Sequence, residues 1–190
     1  HATPTSGLPA QDERRNRDLT FASSRSFAGS GTCEACHGSD KRAMRDRNGL
    51  DISTTTDWRA SMMANAANDP YWQAKVSHEA ALYPAARREI ETTCARCHAP
   101  QGVFQALFDG AEHYAMTQVQ RNPLALDGVS CVACHTLKPV TRGLSGHLHF
   151  DTTGALYGPY PDPLAPPMIN HTRYRPVYGA HLSESRLCGQ

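Results

Sequence analysis

Six of the seven cysteines fall into three pairs of identical spacing, each followed directly by a histidine: "CEACH" at 33–37, "CARCH" at 94–98 and "CVACH" at 131–135. In 190 residues holding 7 Cys and 10 His, this composition would produce the pattern by chance only about 0.01 times, and its spacing is that of covalent c-type haem attachment. Two thiols on one turn of backbone reach the two vinyl groups on one edge of a porphyrin. The next side chain then lies beneath the ring and offers its imidazole to the iron. Cys33, Cys36, Cys94, Cys97, Cys131 and Cys134 are therefore read as thioether attachments, with His37, His98 and His135 as iron ligands.

Other uses of Cys-x-x-Cys fit less well. A structural zinc ion takes two such pairs, three do not divide evenly, and a histidine after each pair has no role in a zinc ribbon. A thioredoxin-like dithiol needs one motif in a βαβ setting rather than three. Disulfides within so short a loop are strained. Most thioether maturation takes place outside the cytoplasm, so the expected location is periplasmic or extracellular.

The rest of the composition agrees with a prosthetic interior. Only 39% of the residues are hydrophobic, and the chain carries 14 Gly and 13 Pro. Apolar burial alone would struggle to offset the entropy of ordering such a chain, whereas porphyrins can serve as its core. The formal charge of +1 gives no support to nucleic-acid or anionic-lipid binding, and three haems would take it to about −5 through six propionates. No apolar run approaches the ~20 residues that cross a bilayer, so no membrane insertion of this chain is expected. A start at "HATPTSG" rather than Met suggests that a leader was removed or left out.

The elements that must hold these motifs read as short helices. Residues 1–31 are polar and read as an extended arm, with 32–190 as the haem domain. Asp57 is a good N-cap for a helix over 57–67, with Trp58 and Met62 one turn apart. Asp69 and Pro70 open the next helix and Pro84 closes it. Residues 86–93 run helically into the second motif, and 111–121 form another short helix after the Asp109–Gly110 turn. "SGHLHFDTTGALYGPY" alternates like a small hairpin, and "GPYPDPLAPPM" reads as a proline-rich surface loop. The expected fold is mainly α with much irregular structure and few or no strands, a multihaem cytochrome c fold organised around covalently bound haems.

On these residues the chain resembles the multihaem c-type cytochromes, and more narrowly the branch related to the tetrahaem electron acceptor of hydroxylamine oxidoreductase. The resemblance rests on "DWRASMMANAANDPYW", "TCARCHAP", "GVSCVACH", "YGPYPDP" and "NHTRYRP…HLSESRLCG" and spans roughly 57–190. It implies haems packed edge to edge or in stacked pairs that conduct electrons along a row. In that family "S-x-L-C-x-x-C-H" is the next attachment site. The resemblance therefore implies that Cys188, otherwise a spare thiol, begins a fourth site and that the chain is truncated within it. It also implies that His171 and His181 are distal ligands. Some relatives read "S-M-H-A" around Met63, which makes that thioether a candidate axial ligand; the alternative is that Met62 and Met63 simply pack on a haem face.

His113, His147, His149 and His78 complete the supply of candidate distal ligands, each with propionate or surface contact as the other reading. "HLHF" in extended form puts His147 and His149 on one face, so only one of them serves a given iron. His78 shares a helix face with Tyr71, Ala74 and Leu82, which could lie against a porphyrin. Tyr71, Trp72 and Trp58 are expected to line haem edges, and Arg87, Arg88, Arg173 and Arg175 to pair with propionates where they have a specific role. His1 matters only if the arm reaches a neighbouring subunit.

With ligands for every iron, electron transfer is expected, and not catalysis. The chain would exchange electrons with other redox proteins or copies of itself, or serve as a module of a larger multihaem assembly. The alternative is an oxidoreductase acting on a small nitrogen or sulfur compound at a five-coordinate haem.

Overall fold

Proline and aspartate placement lays out the central helices. The computed structural model describes residues 19–40, 42–139 and 148–189; residues 1–18, His1 among them, and His147 lie outside these. Asp69 accepts a hydrogen bond from the amide of Tyr71 at 2.9 Å and Pro70 takes the first helical position of Pro70–Leu82. After a 3-10 turn at Pro84–Ala86, the helix Arg87–His98 carries the second motif to its last residue. Pro100 has no amide with which to extend that helix, and the chain turns at Ala99 into a further helix, Pro100–Phe108.

In chain order the helices are α1 (Ser30–His37), α2 (Thr54–Arg59), α3 (Pro70–Leu82), α4 (Arg87–His98), α5 (Pro100–Phe108), α6 (Met116–Val119), α7 (Pro123–Leu126), α8 (Cys131–His135) and α9 (Ala165–Thr172). Strand β1 (Ala155–Gly158) pairs in parallel with β2 (Arg175–Tyr178). Helices and irregular backbone dominate the described residues beside this single two-stranded sheet, as the sequence predicts. None of the described helices is long and apolar enough to cross a membrane.

Four local expectations change. Helix α2 is capped by Ser53, whose hydroxyl accepts from the Thr56 amide, and not by Asp57; it ends at Arg59, where the Asn65 side chain donates to the carbonyls of Arg59 and Ser61. The helix expected over 111–121 shrinks to α6, because residues 113–115 run extended to bring Tyr114 N onto Thr92 Oγ1 at 3.0 Å. The end of the proline run, from Ala165 to Met168, opens α9, where prolines tolerate a first helical turn. No hairpin forms around "DTTG" among the described residues. Asp151 Oδ1 instead accepts from the amide and hydroxyl of Thr153, turning the chain into β1, which pairs with the strand after α9.

The described part of the expected arm is packed. Leu19, Phe27 and Ala28 are buried, and the Phe27 ring meets those of Phe108 and Phe150 at centroid distances of 6.3 and 5.4 Å. Residues 19–31 therefore belong to the packed body.

Two apolar clusters result. One joins Trp72, Val76, Ala95, Val103 and Tyr114, with Cys94 at its margin. The other joins Phe27, Phe104, Val132, Ala133 and Phe150, with Cys33 at its margin.

Candidate haem-binding site

Each complete motif sits on a helix that ends at its histidine. Helical periodicity then decides which side chains face the protein. In α4 and α8 three of the four residues between the cysteines, Ala95, Val132 and Ala133, are buried and Arg96 is half-buried, while Cys97 is exposed and Cys94, Cys131 and Cys134 are half-buried. Cys36 is exposed and Cys33 half-buried on α1. None of these six cysteines is in a disulfide. Cys94 and Cys33 stand at the margins of the two apolar clusters, where a flat apolar group bonded to them would extend the cluster outward.

The histidines carry the more specific observation. His98 Nδ1 lies 3.0 Å from the Ala66 carbonyl oxygen and His135 Nδ1 lies 2.6 Å from the Tyr157 carbonyl oxygen. A carbonyl only accepts, so Nδ1 carries the proton in both rings and Nε2 keeps its lone pair. That tautomer is the one an axial ligand needs, fixed by an outer-shell acceptor. The Trp72 indole stacks on the His98 ring at 4.4 Å and 5° and holds its orientation. Beside this motif the buried nitrogens Trp72 Nε1 and Arg96 Nε lack an acceptor among the described residues, which suits a carboxylate-bearing cofactor. The residues present thus fit haem. His37 is exposed, and its carbonyl accepts from Thr55 Oγ1 at 3.2 Å.

The first and third motifs are neighbours although about 100 residues of sequence separate them. Cys33 and Cys131 lie close enough for each to shift the other's thiol, and α1 packs on α8. The contact and burial raise the Cys131 thiol, while accepting from it lowers Cys33. Burial beside Cys33 also pushes the Tyr174 phenol up to about 12. Asp127 holds the start of α1: Oδ2 accepts from the Ser30 amide at 2.9 Å and Oδ1 from the Ser30 hydroxyl at 2.7 Å. The N-cap of α1 is Gly29, which has no side chain to bond an orphan amide, so Asp127 supplies that acceptor from across the fold.

The candidate distal ligands are dispersed. Met62 and Met63 are exposed, on the turns after α2. Met63 presents its carbonyl to the lead-in of the third motif, accepting from Val129 N at 2.9 Å. His113 Nε2 meets Glu91 Oε2 at 3.1 Å. His149 is exposed, and its carbonyl accepts from Lys138 N. His78 lies with Tyr71, Ala74 and Leu82 on an exposed face of α3. His171 is exposed in the last turn of α9. His181 Nε2 donates to the Leu137 carbonyl at 2.8 Å, two residues beyond His135, and its ring meets Tyr157 edge-on at 5.0 Å. It lines a cavity of about 330 Å³ with Tyr157, Tyr178, Glu184 and Arg186. Cys188 belongs to a closing 3-10 turn, Ser185–Gly189, and its side chain lies outside the described part. Of the named arginines, Arg87 is held by Glu91 at 3.0 Å.

Sequence reasoning missed Asp127, Ser30 and the carbonyls of Ala66 and Tyr157. Asp127–Gly128 reads as a turn, and nothing local marks that carboxylate as buried. A family model described as cytochrome c554 and c-prime matches residues 32–136, more than half of the chain. No curated protein and no solved structure is similar enough to match.

Proposed function

The chain belongs to the cytochrome c554 and c-prime family, and is thus a multihaem c-type cytochrome, for which we propose electron transfer through three haems held at Cys33/Cys36/His37, Cys94/Cys97/His98 and Cys131/Cys134/His135. Haem-based electron transfer follows from the family. The observation that carries it is the fixed tautomer of His98 and His135, whose Nε2 lone pairs are kept for a metal. When bound, each haem supplies a one-electron redox centre. The chain's own residues attach it, orient its axial imidazole and set the distance between neighbours. The contact between Cys33 and Cys131 supports a close pair at the first and third motifs.

We assign the chain to the branch related to the electron acceptor of hydroxylamine oxidoreductase, with a periplasmic or extracellular location. Its partners are other redox proteins or further copies of itself. His181, Met63, His171, His113 and His147 are the candidate distal ligands, and Cys188 the first cysteine of a fourth site. Intact mass spectrometry tests the haem number, since each haem adds roughly 616 Da. Serine substitution of both cysteines in one motif should remove one such increment. Low-spin spectra that ignore cyanide and nitric oxide are expected; a high-spin fraction that binds them would instead indicate an oxidoreductase with an open iron.

A further inference from the structure

We propose that Asp127 is the proton-binding carboxylate of the pair formed at the first and third motifs, binding one proton from solvent as electrons from a donor protein reach that pair. The inference rests on the haem reading above.

Asp127 is buried, with 8% of its surface exposed. It closes α7 and faces three other elements. From α1 it meets the amide and hydroxyl of Ser30, with Cys33 nearby; from α5 the Gln101 amide lies 3.5 Å from Oδ2; from the start of α8 come Ser130 and Cys131. No cation among the described residues pairs with it. Glu91, the buried carboxylate of motif helix α4, differs on this point, because Arg87 and His113 hold it from two sides. A buried negative charge without a counter-ion is held only by hydrogen-bond donors, and burial raises Asp127 above the ordinary carboxylate range against the lowering effect of Ser30.

The charge also acts on Cys33 and Cys131, so it stands at the attachment points of two redox centres at once. Each electron that arrives there makes the surroundings more negative and favours the protonated form of the nearest buried carboxyl. The balance is one electron from the donor protein and one proton from solvent onto a carboxylate oxygen of Asp127, with no bond broken.

Spectroelectrochemical titration of the intact haem-loaded protein over a range of pH tests this. Two midpoint potentials should fall as pH rises through a window above the usual carboxylate range. In Asp127→Asn they should lose that slope and stay near the acid-limit values of the parent protein at every pH. A slope retained in Asp127→Asn assigns the proton elsewhere, for instance to a haem propionate, and overturns the proposal. If Asp127→Asn does not load haem, Ser30→Ala carries the test. It removes one donor from the ionised form and should move the window to higher pH; an unmoved window overturns the proposal. Failure of the haem reading is separate and visible first, as a protein whose mass holds fewer haems than complete motifs.

Discussion

Gly128 is the position where the lead-in to the third motif touches the turns after α2, and Gly128→Ala should be far costlier than the addition of one methyl group suggests. Its φ is +65°, and a Cβ there would lie 2.5 Å from the Met63 carbonyl oxygen and 2.6 Å from that of Ala64. Gly49 supplies the control, with a φ of +81° and nothing within 4 Å of the place a Cβ would take. Both substitutions carry the left-handed backbone penalty of about 1–2 kcal/mol. Only Gly128→Ala adds overpacking against backbone, about 1–3 kcal/mol. The shift it forces also loosens the Val129 N to Met63 O bond of 2.9 Å, worth about 1 kcal/mol. The expected losses are about 3–6 kcal/mol for Gly128→Ala and about 1–2 kcal/mol for Gly49→Ala. For a chain of this size these correspond to melting shifts of roughly 6–24 °C and 2–8 °C. Circular dichroism of the haem-loaded proteins during urea and thermal unfolding gives both numbers, since thioether-bound haems stay attached in either state. Losses equal within about 0.5 kcal/mol would refute the close approach.

Three further substitutions probe other contacts. Glu91→Ala removes the acceptor shared by Arg87 and His113, and should cost about 2 kcal/mol by urea unfolding, less than a fully buried pair because Arg87 is largely exposed. Burial alone would raise the Asp151 carboxyl, but hydrogen bonds from Thr153 and Ala155, with Lys138 nearby, hold it below the usual range. Its stabilisation is therefore complete above the unfolded value near about pH 3.9 and fades as pH falls through the folded one. Asp151→Asn should accordingly be about 2 kcal/mol less stable at neutral pH, and unfolding curves of the two proteins should converge in strong acid. Arg25→Ala breaks an exposed pair with Asp109 at 2.9 Å and a long bond to the Phe108 carbonyl at 3.4 Å, and should change stability by less than about 1 kcal/mol at physiological salt.

The motif helices and α3 are legible in the sequence because their signals are local. Cys-x-x-Cys-His is contiguous, and Asp69–Pro70 states a helix start within two residues. The start of α2 is ambiguous because Asp57 and Ser53 are both good caps, and the bond from Thr56 Oγ1 to Asp51 that favours the earlier turn is not written in either. The parallel pairing of β1 with β2 spans 20 positions and is invisible to a pattern that looks for neighbours. Phe27 is hidden in a polar stretch, since a single aromatic gives no periodicity; its partners come from α5 and from Phe150. The tautomers of His98 and His135 depend on carbonyl oxygens, which any residue provides.

Helix α5, whose start only Pro100 marks in the sequence, explains why the motifs group in space as first with third. Successive residues of it face opposite ways. Val103 is in the cluster bordered by Cys94, Phe104 is in the cluster bordered by Cys33, and Leu107 touches both. The same helix sends Gln101 toward Asp127 and Gln105 to the Ser26 amide at 3.0 Å, so it fixes the segment leading into α1 while packing against α4. Pro100 starts this helix immediately after His98, which makes the second motif and the dividing helix one continuous stretch of chain. In the arrangement proposed above, α5 therefore stands between the second site and the pair at the first and third motifs, as a partition shared by both apolar clusters.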